Sequence, residues 1–387
     1  MKPSGKAPAP GGLTVIQVIP HLESGGAERS TVEIAEALMA AGGHAIIVTE
    51  GGRMATAAQS AGTEVVYLPV ASKNPLTILK NAGKIARLAR RSGATVIHAR
   101  SRAPAWSAKI AARKAKIAFV TTYHGVYGAA SPLKRWYNSV MAKGDRVIAN
   151  SAFTAAHVLR AYPGVKSRLV TIGRGVDLLQ FDPAKVTDAR VARLRAVWGA
   201  GAERKVILVP GRLTEWKGQG DVIEAAAIHP ELKRALIVLI GDTTSDSYRR
   251  ALEDKINALG LRTRVRLAGH CADMPAAYLA ADVVVQPSRK PEAFGRVAAE
   301  ALAMGALVVA SDIGGASETV IEGTGYRYPV GDVAALGDRL AFALTLPLGA
   351  RAAMRAAAIS HIREHFSRTQ MCDATLKVYR DLLERKR

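Results

Sequence analysis

The stretch DVVVQPSRKPEAFGRVAAEALAM, residues 282–304, decides the fold. It opens on an apolar run, Asp282–Gln286, of buried-strand character. It breaks at Pro287 and Pro291 and resumes as an alanine-rich segment with helical spacing. Strand, loop and helix start follow one another, and Glu292 falls in the loop. Gly295 lets a ligand come close to the backbone. The amides of Phe294, Gly295 and Arg296 stand at the helix start, where unpaired N–H groups and aligned peptide dipoles attract an anion such as phosphate. Glu300 is expected about a turn and a half into the helix, roughly 8–9 Å along its axis at 1.5 Å per residue. That spacing suits a diphosphate at the helix end and a ribose beyond it. Two carboxylates also invite a glycosidase reading, with an acid and a base flanking one bond at about 5–9.5 Å, but only one of the pair is expected to be exposed.

Upstream in the same half, Val206–Val209 reads as a strand. It feeds the loop Pro210-Gly211-Arg212-Leu213-Thr214-Glu215-Trp216-Lys217-Gly218, with a helix expected from about Asp221. Arg212, a planar fork, and Lys217, a point charge, stand on one glycine-bounded loop and could converge on a diphosphate. Two cations and a helix end could neutralise a departing nucleoside diphosphate without a metal, and no Asp-x-Asp metal motif occurs in the chain. Leu236–Gly241 is the next strand, closing at Gly241. Leu307–Ser311 is another and runs into a turn whose Gly314 and Gly315 are expected to be structural.

In the first half, Leu13–Pro20 reads as a strand, followed by the loop HLESGGAER and a helix from about Ser30 to Ala40. Gly25 and Gly26 would let the backbone approach a ligand. The dinucleotide pattern G-x-G-x-x-G is absent, although Glu50 closes the second strand where a dehydrogenase would hold ribose, so an NAD enzyme is a minor alternative. Strands and helices then alternate through Asn150, which implies a parallel sheet wrapped by helices. His124 follows a strand and precedes a glycine, and Ser151 is placed to cap a helix.

The segment PSRKPEAFGRVAAEALAMG, with its Glu-x7-Glu spacing from Glu292 to Glu300, resembles the retaining glycosyltransferases of family 4. So do the GR…KG spacing of residues 211–218, the double glycine at 25–26, Gly241-Asp242 and the glycine turn at 314–315. The resemblance covers most of the chain and implies an α/β GT-B fold, two Rossmann-like doubly wound domains facing across a cleft. It implies a mobile tail at 1–12, an acceptor-side domain at 13–180, a nucleotide-sugar domain at 181–365 and a terminal helix at 366–387 that packs back on the first domain. It further implies that Arg212 and Lys217 stabilise leaving-group charge, that Glu292 holds sugar hydroxyls and Glu300 the ribose, and that His124 lies beside the reacting sugar. Gly25, Gly26, Gly211, Gly241, Phe294, Gly295 and Arg296 complete the donor contacts. No nucleophile is assigned, because the family's retaining step is described as front-face. Arg174 departs from the family pattern, standing where an Asn is commonest.

The chain of 387 residues carries a formal net charge of +22. Residues 1–187 hold 25 Lys/Arg against 9 Asp/Glu, and residues 188–387 hold 29 against 23. On the segment Leu76–Arg91, the residues Lys80, Lys84, Arg87 and Arg91 fall on one helical face. Lys109, Arg113 and Lys116 repeat the pattern, and Lys134 and Arg135 adjoin Trp136 and Tyr137. Together they predict peripheral docking on anionic lipid. Nucleic acid is not expected as a partner, since no RNA- or DNA-binding module accompanies the charge. The start lacks the apolar core of a secretory signal, no apolar run approaches the roughly 20 residues of a span, and Cys271 and Cys372 suit free thiols. These features predict a cytoplasmic protein at the inner membrane face. The expected reaction moves a sugar from a nucleotide donor, UDP-sugar favoured, to a glycan or lipid-linked acceptor in lipopolysaccharide or envelope synthesis, with no cofactor. A nucleotide-sugar epimerase and a non-catalytic nucleotide-sugar-binding protein are the alternatives.

Overall fold

The computed structural model describes residues 12–384 apart from 24, 129–130, 202 and 244–245. The expectation of a tail at 1–12 lies, but for Gly12, outside the described residues. The chain divides into two units, residues 1–174 with 368–387 and residues 175–367. Each is built on one all-parallel sheet.

The first unit runs β1 (Thr14–Val18), α1 (Gly26–Ala40), β2 (His44–Thr49), α2 (Arg53–Ser60), β3 (Glu64–Tyr67), α3 (Pro75–Ser92), β4 (Val96–Ala99), α4 (Arg102–Ala115), β5 (Ala118–Tyr123), α5 (Pro132–Asn138), β6 (Arg146–Ala149), α6 (Ala152–Ala161) and β7 (Leu169–Thr171). Its strand order is β3-β2-β1-β4-β5-β6-β7. Strand side chains alternate between faces, and both faces are covered. Ile16 and Val18 therefore join one core with Ile46, Ile85 and Ile97, while Val15 joins the other with Ile47, Leu38 and Val96. Ser151 caps α6 as expected, its hydroxyl accepting from Thr154 N.

The second unit runs α7 (Asp188–Trp198), β8 (Val206–Pro210), α8 (Gln219–Ile228), β9 (Leu236–Ile240), α9 (Asp246–Ala258), β10 (Val265–Gly269), α10 (Met274–Ala280), β11 (Val283–Gln286), α11 (Arg296–Ala303), β12 (Val308–Ser311), α12 (Ala316–Thr319), β13 (Tyr326–Tyr328), α13 (Val333–Thr345) and α14 (Leu348–His365). Strand order is β10-β9-β8-β11-β12-β13. Val206 and Leu208 face one core, and Ile207 and Val209 the other. The final helix, α15 (Arg368–Glu384), belongs to the first unit. Its Met371, Leu376, Tyr379 and Leu382 fill the core beside α1.

Three helix starts differ from expectation. α1 begins at Gly26 rather than Ser30, and α8 at Gln219 rather than Asp221. α11 begins at Arg296, so Glu300 stands only about 6 Å along its axis from the first residue, not 8–9 Å. For α1 and α8, glycine-rich openings read as loop by propensity, but at the first turn the backbone amides need no intrahelical acceptor and glycine costs little; α11 starts late because Gly295, with φ +79°, lies outside the helix. Among the described residues no single helix is long and apolar enough to cross a membrane.

Candidate active site

In a doubly wound sheet the strand order reverses at one place, and the loops leaving the two strands there diverge to open a crevice at their carboxyl ends. In the second unit that place is between β8 and β11. The loops concerned are those carrying Arg212 and Lys217 and those carrying Glu292. Lys217 Nζ donates to Glu292 Oε1 at 2.7 Å, and each side chain is only 13% exposed. Ser288 Oγ donates to the same oxygen at 2.5 Å. Glu292 is thus a held, shielded carboxylate rather than a solvated loop residue. Lys217 also lies over the Trp216 ring, 4.6 Å from its centre.

Backbone packing fixes this junction. Gly218 has φ +72°, and a Cβ there would stand 1.9 Å from Pro287 O. Arg289 N donates to Trp216 O at 2.8 Å, tying the two loops together. The turn glycines are structural, as expected. A Cβ on Gly314 or Gly315 would strike the backbone of Pro291–Phe294, and Gly315 N donates to Glu292 O at 2.8 Å. Gly241 packs against the Gly211 carbonyl, which a Cβ would approach to 2.1 Å, so it supports the loop from behind.

At α11, Gly295 is in the left-handed region with φ +79°. Gln286 Oε1 accepts from Ala298 N at 3.1 Å and so satisfies one amide of the first turn. Phe294 is 3% exposed and its ring packs at 5.6 Å from Phe366, which leaves only its backbone for a ligand. Glu300 is buried. Arg296 Nε donates to its Oε1 at 3.1 Å, and the Tyr278 hydroxyl donates to its Oε2 at 3.1 Å. Burial first, and the Glu300 charge second, push the Tyr278 hydroxyl well above the usual phenol range, so it stays a donor. Arg212 stands apart from this cluster: its guanidinium is exposed and has no side-chain partner among the described residues. The loop therefore brings Lys217 to Glu292 but does not bring Arg212 with it.

A cavity of about 600 Å³ adjoins the junction, lined by Thr214, Glu215, Asp221, Tyr248, Lys255 and Arg289. Arg289 closes one side by donating from Nε to the buried Asp221 at 3.0 Å. Among the described residues no group of three or more His, Cys, Asp or Glu is arranged to hold a metal.

In the first unit the reversal lies between β1 and β4. After β1, Gly25 caps α1 in extended conformation, and a Cβ there would meet the Glu28 carboxylate at 2.3 Å. The helix start, with Gly26 as its first residue, is thus covered by its own acid. After β4 comes Arg100, which the sequence reading did not select. It is 2% exposed, Nη2 donates to Ser30 Oγ at 2.7 Å, and its Nε has no partner. Burial lowers its pKa to about 10. His124 lines the same small cavity with Asn150 and Arg174. Arg174 Nη2 donates to His124 Nδ1 at 2.8 Å, while His124 Nε2 is buried without a partner. Asn150, its amide oxygen turned to the guanidinium, accepts from Arg174 Nε at 3.2 Å. Burial, then Arg100, Arg174 and His98, push the His124 imidazole well below the usual histidine range. Arg100, Gln286 and Ser288 could have been found by the strand-end rule, whereas Tyr278, inside α10, carries no such signal.

These features define a doubly wound α/β protein that gathers charge at the strand ends of both units. The sequence pattern described as Glycosyl transferases group 1 matches residues 191–361, and that described as Glycosyltransferase Family 4 matches residues 24–179. A glycosyltransferase from Rickettsia africae, of known crystal structure, is 32% identical, with a TM-score of 0.90 over 96% of this chain and 99% of that one. The Anabaena HepE structure in complex with UDP is 24% identical, with a TM-score of 0.85 over 95% of this chain and all of that one, and so shows the shared fold. A D-inositol 3-phosphate glycosyltransferase of Saccharomonospora viridis is 33% identical over 63% of this chain and 57% of its own length. The chain spans less than two thirds of the length of the curated relatives it matches. It belongs to the family 4 glycosyltransferases, with the two Rossmann-like units of the GT-B plan.

Proposed function

We propose that the protein transfers a sugar from a nucleoside diphosphate donor, UDP-sugar favoured, to a hydroxyl acceptor with retention at the anomeric carbon. The observation that carries this reading is the convergence of Lys217, Ser288 and Glu292 on the switch point of the second unit, beside the start of α11. A diphosphate at that helix end meets amide dipoles and the Lys217 charge, and Arg212, exposed on the same loop, is placed to swing onto it. Glu292, released from Lys217 by the incoming phosphate, accepts from sugar hydroxyls. Glu300, held by Arg296 and Tyr278, retains lone pairs for ribose hydroxyls. The departing phosphate assists deprotonation of the acceptor, so no protein nucleophile is required. Cationic side chains take the part of a metal. The HepE crystals that hold UDP and UDP-glucose, and the curated relatives named for inositol 3-phosphate, support the class of donor and of reaction. The test is calorimetry of the purified protein with UDP-, GDP- and ADP-sugars without added metal. Selective binding of one donor, lost in Arg212→Ala, is expected; no binding across the panel sinks the reading. Product analysis without an acceptor separates transfer from epimerisation, and turnover separates it from mere binding.

A second observation bears on the acceptor. On α3 the side chains of Lys80, Lys84, Arg87 and Arg91 are exposed beside Leu76, 77% exposed, and Leu79. α4 packs on α3, and Trp106 of α4 stacks 4.8 Å from Trp136 of α5, where Leu133 and Trp136 are exposed among Lys134 and Arg135. Burial and then crowding by Lys143 and Arg113 lower the Lys109 pKa. Apolar side chains among uncompensated cations fit an anionic lipid surface. The acceptor is accordingly a lipid-linked glycan of the lipopolysaccharide or envelope type, met at the inner face of the membrane. Binding to anionic but not neutral vesicles is expected; equal binding to both, or to neither, excludes it.

A further inference from the structure

We propose that Arg174 is a positioning residue that locks His124 as the Nε2–H tautomer, so that His124 serves as a hydrogen-bond donor to a substrate oxygen and not as a base. The inference rests on the transferase reading and assigns the role of the strand-end histidine within it.

The group that meets His124 Nδ1 is the Arg174 guanidinium. It has five N–H donors, no acceptor, and does not deprotonate. At 2.8 Å from Arg174 Nη2, His124 Nδ1 must present its lone pair, and the ring proton then resides on Nε2. That N–H is buried with no acceptor in the described part of the molecule. An orphan buried donor costs about 1–3 kcal/mol, and a ligand oxygen would relieve it. The polarity is the reverse of a catalytic triad, where a carboxylate on Nδ1–H leaves Nε2 as the base.

The surroundings oppose a second ring proton. Arg100 faces the ring from the end of β4, Arg174 from beyond β7, and His98 from within β4. His98 is itself neutral between the Tyr379 and Thr122 hydroxyls, at 2.6 and 2.7 Å. Tyr127 stands on the loop of His124 itself and hydrogen-bonds to its backbone. The rest of the cavity is lined by hydroxyl, amide and apolar side chains, Ser30, Thr122, Asn150 and Met371 among them, and by no carboxylate. Arg174 is 8% exposed and is braced by Asn150, so the donor that fixes the tautomer is itself fixed.

The experiment is 15N–1H correlation of the histidine rings in the full chain, with His124 assigned through His124→Gln. The wild type is expected to show an unprotonated Nδ1 and a protonated Nε2, without titration in the usual histidine range. Arg174→Lys, which keeps donor and charge, should preserve this pattern and turnover within a few-fold. Arg174→Glu puts an acceptor on Nδ1 and should invert the tautomer. Its turnover should fall roughly a hundredfold at pH 8, the scale of losing one aimed donor, and recover as pH falls and the imidazolium again presents N–H at Nε2. A merely structural defect gives no such recovery. A wild-type spectrum with the proton on Nδ1, or an Arg174→Glu enzyme whose loss is flat with pH, overturns the proposal. If Arg174→Glu does not fold, the wild-type and Arg174→Lys spectra decide it. The expected tautomer in a protein that transfers no sugar would overturn the transferase reading instead, so the two failures are distinct.

Discussion

The two units handle charge in opposite ways. In the second, three cations near the strand ends are matched, Lys217 to Glu292, Arg296 to Glu300 and Arg289 to Asp221, with Arg212 left exposed beside them. In the first, Arg100 has a serine, Arg174 has a histidine and an asparagine, and Lys80, Lys84 and Arg87 enter no ion pair among the described residues. A matched carboxylate and cation can be prised apart by a ligand that carries both hydroxyls and phosphate, each group finding its partner. Lys80, Lys84 and Arg87, with no ion-pair partner among the described residues, favour an external anion. Under the proposed function, the difference fits donor recognition by the second unit and acceptor and surface recognition by the first.

The largest effects should follow from breaking a matched pair. Glu292→Gln is expected to lower turnover by about 10²–10³-fold while changing nucleotide affinity far less, whereas Lys217→Ala should impair both. Steady-state kinetics with calorimetry checks this, and unchanged turnover in Glu292→Gln removes that residue from the mechanism. Next comes the unmatched surface. Replacing Lys80, Lys84 and Arg87 together with Gln should weaken binding to anionic vesicles roughly a hundredfold, at about 1 kcal/mol per cation. Turnover on a soluble acceptor should hold, and a variant that binds vesicles like the wild type would dissolve the contrast between the units.

The smallest effect sharpens the contrast through pH. His98 is held well below the histidine range by burial and then by Arg100, and His124 likewise by burial and then its arginines. Below about pH 6.5 the unfolded chain binds protons at these sites and the folded one does not. Stability should therefore fall as pH falls, by up to about 1.4 kcal/mol per histidine for each pH unit. Denaturant midpoints at pH 7.5 and 5.5 measure it, and His98→Asn should lose less than the wild type. An equal loss would show that the buried histidines are not its source.

Much of this was legible before folding. The run Val283–Gln286, the breaks at Pro287 and Pro291 and the alanine-rich helix are local, and the structure contains all three. α1 and α8 start earlier than expected because their glycine-rich openings read as loop by propensity, and α11 starts later because Gly295, in the left-handed region, lies outside it. Lys217 and Glu292 were each selected, but not as partners. They lie 75 residues apart and meet only because β8 and β11 are neighbours in the sheet. Arg174 was marked as a departure from the family pattern, yet its partner His124, 50 residues earlier, could not be named from either position.

The sequence by itself determined the alternation of strands and helices, the residue types at each strand end and the excess of positive charge in residues 1–187. Those follow from periodicity, turn chemistry and composition, which are properties of short windows. Only the tertiary structure decided which charges are neutralised. Strand order sets which loops become neighbours, and an ionic contact depends on a few ångströms between residues that the chain itself keeps far apart.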